Sequence, residues 1–537
     1  MRSPLRLFSR TQRERPEHRW PDDAGRPAPW SPLRRRVDNM ALRWHARLDS
    51  PFADRSLPPI LAGLIFVGLA AMALARVRSL EPSESLARFT QAIWQLHQAD
   101  PSAITLLPVG VEAPQPLSHL DGSLVLYPLG WLVGFLPIRE ALVTLQSAAL
   151  AFAVLPLWRL SRRVANLRVG ATTAVIVAYA LFPPVHLMNT DGFNPLVLAV
   201  PLLLGVIHRA LSGSIIRLGL GALLVLVCST QLALVLVGLG AMLSLTVRRR
   251  SGIGLGLLGV IGMVGEHSVA WLGAGDRAFV DGVSFPPGTR SAAGILVEAI
   301  LHPLASLGHL GQQRVLVTVV ALLVPVAFLP LFSLRHLAPV VPLQLVYLLG
   351  SLPHDQLLGA QAAATTAFVF AAAALALGRL GRSGSDRVSV PPRLSGTLVG
   401  VAALFFVLDA ASSPYQHPWN WGGRDAVDAV RLQWTEEVLA GADKPMTVAA
   451  TSDMSPILAG GGVVTCALPA SRHACPVPPV LYLVDLRLDP FTASRPDLVV
   501  VQSQADGRLA MLRPRSAVGA APAQAQPGTG TAQRTVR

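Results

Sequence analysis

Leu57 to Val77 is a twenty-one-residue apolar run whose one charge, Arg76, stands next to its end. At about 1.5 Å per residue a helix of that length crosses a hydrocarbon core of about 30 Å. A backbone inside lipid must satisfy its own hydrogen bonds, so a run of this kind folds as a helix. Further apolar segments follow at about 123–137, 140–158, 169–187, 195–211, 216–230, 232–247, 252–273, 314–333, 337–350, 357–378 and 394–411. The pattern predicts a polytopic all-α membrane bundle with eleven or twelve membrane-inserted helices. Several segments are short or broken by Pro and Gly. Broken helices are tolerated only where protein or a water-filled cavity covers the backbone, so they point to a cavity.

Composition agrees. Hydrophobic residues make up 52% and charged residues only 14%, against about a quarter charged in soluble domains. The chain carries a net charge of +14, and a strongly basic chain can bind nucleic acid. Here the arginines cluster at the ends of apolar segments instead, which is the pattern of residues retained on the cytoplasmic side of a membrane. Nucleic acid is therefore not an expected partner; the lipid bilayer is.

The charge pattern also orients the chain in a cell membrane. Residues 1–56 form a basic, Pro-rich tail expected to be disordered and cytoplasmic, and 57–411 form the transmembrane domain. The tail, Arg248 to Arg250, and Arg379 to Arg393 belong on one side. That parity requires one of the early segments not to cross. The expected one is 123–137, which is short and holds Pro128, Gly130 and Gly134. Residues 293–311 read as a surface helix rather than a span. Residues 78–121 form a polar loop, in which Leu86, Phe89, Ile93 and Leu96 recur at helical spacing. That spacing predicts an amphipathic helix on the membrane surface.

After the last span the chain emerges on the far side. Residues 412–514 read as a small extracytoplasmic α/β domain, with strands near Met446–Thr451, Val480–Leu486 and Leu498–Val501 and a helix around Trp434–Leu439. Trp419 and Trp421 fit an interfacial anchor. Residues 515–537 have the composition of a disordered tail. Cys466 and Cys475 stand nine apart in this region. They fit either a disulfide or two free thiols, and Cys228 fits inert packing in a span.

A family resemblance enters on short motifs in a shared order. They are Phe89-Thr90-Gln91-Ala92-Ile93-Trp94, then His119 with Tyr127-Pro128-Leu129 and Leu145-Gln146, and then Asp191-Gly192-Phe193-Asn194-Pro195. Glu298, His302-Pro303 and Phe328-Leu329-Pro330-Leu331 follow, then Val448-Ala449-Ala450-Thr451 to Ile457-Leu458-Ala459 and Leu481-Tyr482-Leu483-Val484-Asp485. The chain thereby resembles, over roughly residues 82–510, a family of predicted bacterial membrane proteins with a domain of unknown function, related to GT-C glycosyltransferases. The resemblance implies a GT-C-like helical bundle. It also implies sugar transfer from a polyprenyl-phosphate donor on the extracytoplasmic face, with acidic loop residues as base and often as ligands of a divalent metal. The family pattern has Asp where this chain has Ser85 and Thr90, His where it has Asn194, an acidic pair at Ser229-Thr230-Gln231, and His-Tyr at Ala360-Gln361.

Acceptor activation needs a carboxylate within hydrogen-bond reach of a hydroxyl. Glu84, Asp121 and Asp191 are the catalytic candidates. Each also has a plainer role: a solvated loop carboxylate for Glu84, like its neighbour Glu81, and a helix cap for Asp121 and Asp191. Arg88 could meet a donor phosphate, since guanidinium matches phosphate oxygens in a fork, or face solvent. His119, Glu266 and His267 complete the substrate-binding candidates. The last two lie inside an apolar segment, where ionisable groups are costly and often functional, or sit near its outer end. No metal ligand set is defined. Two readings remain open: a GT-C-like transferase, or a non-catalytic scaffold or lipid-handling protein of the cell envelope. A transporter is weaker, because the two halves show no convincing repeat.

Overall fold

The computed structural model describes residues 49–81, 83–97, 123–133, 136–213, 215–246, 248–271, 292–350, 352, 354–383, 387–408, 426–441, 446–460, 463–468, 479–504 and 507–518. The first helix, α1 (Pro51–Arg78), begins six residues before the apolar run. The start signal lies there: the Ser50 side chain accepts from the Ala53 amide at 3.2 Å and Pro51 fills the first turn. After it come α2 (Glu84–His97), α3 (Ser123–Val133), and α4 (Ile138–Phe152) running on into α5 (Val154–Arg163). Next are α6 (Val169–Ala180) and α7 (Pro183–Thr190), bent by 44° at the Pro183-Pro184 pair, and α8 (Pro195–Ser212). Asn194 caps α8 by accepting from the Leu196 amide at 3.0 Å, and Gly213 ends it in the left-handed region.

The middle of the chain gives α9 (Ile215–Cys228), α10 (Ala233–Thr246) and α11 (Arg249–Trp271), then α12 (Ala292–Leu301), α13 (Pro303–Leu310) and α14 (Gln313–Leu323). The α10 and α11 helices pack with backbones in contact: a side chain added at Gly240 or Gly252 would run into the facing main chain. Small residues allow this approach in lipid. The bundle continues through 3₁₀ turns into α15 (Val341–Leu349), then α16 (Ala362–Leu380), a hairpin of β1 (Arg382–Ser383) with β2 (Val388–Ser389), and α17 (Pro392–Leu408). The Ala-rich α16 is buried along nearly its whole length and forms the axis of the bundle. Tyr179 and Phe182 meet its Phe370 edge-to-face, with centroids 5.3 and 5.1 Å apart.

Among the described residues five helices are long and apolar enough to cross a membrane, or up to seven if each bent pair counts as one span. Shorter apolar helices, such as α9 and α10 at 14 residues each, stand outside that count. One boundary also moves. Residues 314–333 and 337–350 were expected to be separate apolar segments. Instead the helix breaks at Ala327-Phe328, both left-handed, and Leu329–Leu349 forms one apolar stretch. The described part of segment 123–137 is the 11-residue helix α3.

The two ends of the bundle are set by long-range contacts. At one end Arg162 of α5 pairs with Asp49 at 2.7 Å and with Asp54 of α1 at 2.6 Å. The Arg387 side chain donates to the Arg162 carbonyl at 3.2 Å, and Val388 bonds back to Asn166. The segments beside the tail, after α5, and after α16 therefore lie together, as their arginines predict. At the other end lie Ser85, Gln146 and the turn at Asp191, described below.

The C-terminal part is a small α/β layer. Its helix α18 (Ala426–Gly441) and helix α19 (Ser455–Gly460) accompany β3 (Thr447–Thr451), β4 (Val464–Leu468), β5 (Leu481–Asp485), β6 (Leu498–Gln504) and β7 (Leu509–Pro514). The sheet order is β4-β3-β5-β7-β6. The β3 strand is parallel to both β4 and β5, and β7 is antiparallel to β5 and β6. Three of the strands and the helix match the sequence pattern; β4 and β7 do not appear in it. Cys466 on β4 is disulfide-bonded and Cys228 is buried at the end of α9. Cys475, Trp419 and Trp421 lie outside the described residues.

Candidate functional site

The polar residues gather where α2, α4, the turn after α7 and the first loop of the C-terminal sheet meet. Gln146 on α4 anchors the turn. Its Nε2 donates to the Met188 and Gly192 carbonyls, both at 2.6 Å, and its Oε1 accepts from the Asn194 amide at 2.8 Å. Next along α4, Ser147 donates to Asn189 Oδ1 at 2.7 Å, and Asn189 donates to the Leu69 carbonyl on α1 at 2.9 Å. One glutamine and one asparagine thus satisfy backbone groups that a buried turn would otherwise leave unpaired.

The start of α2 closes on this turn. The Ser85 hydroxyl donates to the Asp191 carbonyl at 2.5 Å, and Phe89 meets Phe193 edge-to-face at 5.4 Å. Gly192 is left-handed (φ 89°), and a Cβ there would strike the Ser83 and Ser85 hydroxyls. The α2 helix was expected to lie on the membrane surface with one apolar face. Instead Leu86, Phe89 and Ile93 are buried and so are Ala87, Thr90, Gln91 and Ala92. It is held between the bundle and α19. Thr90 Oγ1 and both amide atoms of Gln91 are fully buried with no hydrogen-bond partner, an arrangement costing about 1–3 kcal/mol per group unless a ligand or water fills it.

Two catalytic candidates come together here. Glu84, exposed, precedes Ser85, and Asp191, exposed, offers Ser85 its carbonyl. Arg88 stands one turn along α2, half-buried. Glu81 is held by Arg76 at 2.5 Å. Asp121 and His119 lie outside the described residues, as do the side chains of Glu266 and His267, whose backbone belongs to α11. Among the described residues no group of three His, Cys, Asp or Glu side chains could hold a metal ion.

The C-terminal sheet supplies residues that sequence reasoning missed. The Ser83 amide donates to the Ser452 carbonyl at 3.1 Å. Ser452 follows β3, at the carboxyl end of the sheet where β3 stands between β4 and β5, the switch point at which open α/β sheets place ligands. Here that crevice holds Arg431 of α18. Its guanidinium pairs with Asp428 at 2.6 Å, with Asp453 at 2.7 Å and with Asp485, and Arg508 reaches Asp485 at 3.1 Å. Burial pushes the Asp453 carboxyl above the ordinary range, and Arg431 offsets this only in part. Burial acts on Asp485 too, but Arg508, the Arg487 amide and Arg431 outweigh it and hold that carboxyl low. The cluster fixes the loop that touches α2. One sign of it in the sequence is Asp485, a carboxylate closing the otherwise apolar strand Leu481-Tyr482-Leu483-Val484.

No curated protein matches the chain. The family described as "Predicted membrane protein (DUF2079)" matches residues 86–465, which run from Leu86 in α2 through the Asp191 turn and the bundle helices after α1 to Thr465 in β4. That span is more than two thirds of the sequence, and on it the chain belongs to the DUF2079 family of predicted membrane proteins.

Proposed function

We propose that this protein is a GT-C-like membrane transferase, or a descendant of one, that receives a polyprenyl-phosphate-linked sugar on the extracytoplasmic face at the Glu84–Asp191 end of the bundle. Glu84 takes the proton of the acceptor hydroxyl, Asp191 orients the acceptor, and Arg88 meets the donor phosphate. Asp121 and His119, and Glu266 with His267, belong to the same proposal on sequence grounds alone. The observation that carries it is the Ser85–Asp191 hydrogen bond, which draws the two acidic segments together beside the buried, unpartnered Thr90 and Gln91. The disulfide-bonded Cys466 supports an oxidising compartment for the sheet. The test is sugar transfer in proteoliposomes supplied with polyprenyl-phosphate sugars. Glu84→Gln is expected to slow it about 10²–10⁴-fold; transfer at the native rate sinks the assignment.

A second reading is favoured by the neutral character of the network, in which Gln146, Ser147, Asn189 and Asn194 do the anchoring. In it the site holds a lipid-linked headgroup without turning it over. Donor binding that persists in Glu84→Gln, with no transfer by the native protein, distinguishes it.

A further inference from the structure

The opposite end of the bundle carries a concentration of positive charge that no described carboxylate neutralises. His208, near the end of α8, is buried, and its Nδ1 has no hydrogen-bond partner. The charges of Arg209 on the same helix, and of Arg163 and Arg159 on α5, all bear on its imidazole; α5 and α8 pack against each other. Arg248, between α10 and α11, lies over Gly213, whose amide closes α8 on the Arg209 carbonyl. Among the described residues none of these four guanidinium groups pairs with a carboxylate. Among the described residues the carboxylates at this end, Asp49 and Asp54, are engaged by Arg162, which lies between Arg159 and Arg163 in sequence, and Asp54 also by Arg387.

Helix C-termini favour cations, which explains one arginine at each end. It does not explain three around a buried imidazole with a fourth lying over the glycine that ends the same helix. Like charges at the edge of a low-dielectric bundle repel one another unless an anion sits among them. Arg159 and Arg163 are exposed, Arg209 and Arg248 half-buried. The group is therefore open on one side and closed by His208 on the other. Its place at the end of membrane-length helices puts it at headgroup depth.

We propose that Arg159, Arg163, Arg209 and Arg248, with the His208 ring behind them, form a binding site for the phosphate headgroup of an anionic membrane phospholipid. It is independent of the Glu84–Asp191 end and of any chemistry there. The lipid phosphate neutralises the guanidinium groups, and the acyl chains lie along the exposed apolar flank of α9 that carries Ile216, Leu220 and Leu223.

The experiment is native mass spectrometry of the full chain in detergent, titrated with phosphatidylglycerol, with phosphatidylcholine as the neutral control. The native protein is expected to retain one phosphatidylglycerol and no phosphatidylcholine. Each arginine removed should weaken retention about fivefold, so the R159Q/R163Q/R209Q variant should lose about 100-fold. The corresponding triple lysine variant keeps the charge and should keep most of the binding. If the triple glutamine variant does not fold, Arg163→Gln alone, at an exposed position, reads the fivefold step. Retention by the glutamine variants equal to the native protein overturns the site. Displacement by glycerol phosphate at the same concentration as the lipid also overturns it, since the occupant is then a soluble phosphate.

Discussion

Gly192 shows how much one residue can determine. Its left-handed backbone lets the Asp191 turn present a carbonyl to Ser85 and leaves room for two serine hydroxyls. Gly192→Ala should cost about 1–3 kcal/mol from the backbone alone, with more from the collision. The expected outcome is a lower melting temperature and separation of α2 from the turn, read by hydrogen exchange at Ser85 to Phe89; unchanged protection there refutes the role. At the same scale, Asp485 and Asp453 respond to pH in opposite senses. The Asp485 carboxyl is held low, so its stabilisation is complete above the ordinary carboxylate value of about 3.9 and fades only as pH falls through the lowered one. The Asp453 carboxyl is raised, so stability falls as pH rises from the ordinary value through the raised one. Asp485→Asn should lose about 3–5 kcal/mol at neutral pH, because Arg431 is left buried beside an uncharged partner. Asp453→Asn should flatten the fall above about pH 4. Melting curves of the full chain over that range check both, and a profile for Asp453→Asn identical to the native one contradicts the second.

Among the elements, α2 is the one whose surroundings decide its character. Its spacing of Leu86, Phe89, Ile93 and Leu96 is legible as amphipathic, and that face is indeed apolar and packed. Thr90 on its flank and Gln91 on the opposite face are buried too, and α19 packs against the helix. Ala459 of α19 belongs to the core of the bundle, whereas its neighbour Leu458 belongs to the core of the sheet domain. Ala459→Leu should therefore overpack the junction by about 1–3 kcal/mol while sparing the sheet. Limited proteolysis should release the sheet fragment faster, with the fragment itself remaining resistant. Equal cleavage in native and variant protein shows that α19 does not hold the domain.

At the scale of the whole molecule, the contacts define two ends joined by α1. Asp54, Arg162 and Arg387 meet at one, Ser85, Asp191 and Ser452 at the other. Single cysteines in a Cys228→Ala background at Ser212 or Arg250 should react with an impermeant thiol reagent from one side of sealed vesicles, and a cysteine at Glu84 from the other. Labelling of Glu84→Cys and Ser212→Cys from the same side contradicts the arrangement.

The apolar runs and their flanking arginines determined the membrane bundle and its two ends, since lipid demands helices of a certain length and arginine avoids its interior. The alternation and turn residues after 412 determined a small α/β layer, whereas the meeting of Glu84's segment with the Asp191 turn came from the tertiary structure. Only the tertiary structure decided how the apolar stretches divide into helices, that the helix breaks at Ala327-Phe328, and that Gln146 fastens the Asp191 turn. It alone placed Arg431 in the crevice of the sheet and Ser452 against Ser83. These depend on which distant segments share a surface. Periodicity records that a face is apolar but carries no information about the partner that covers it.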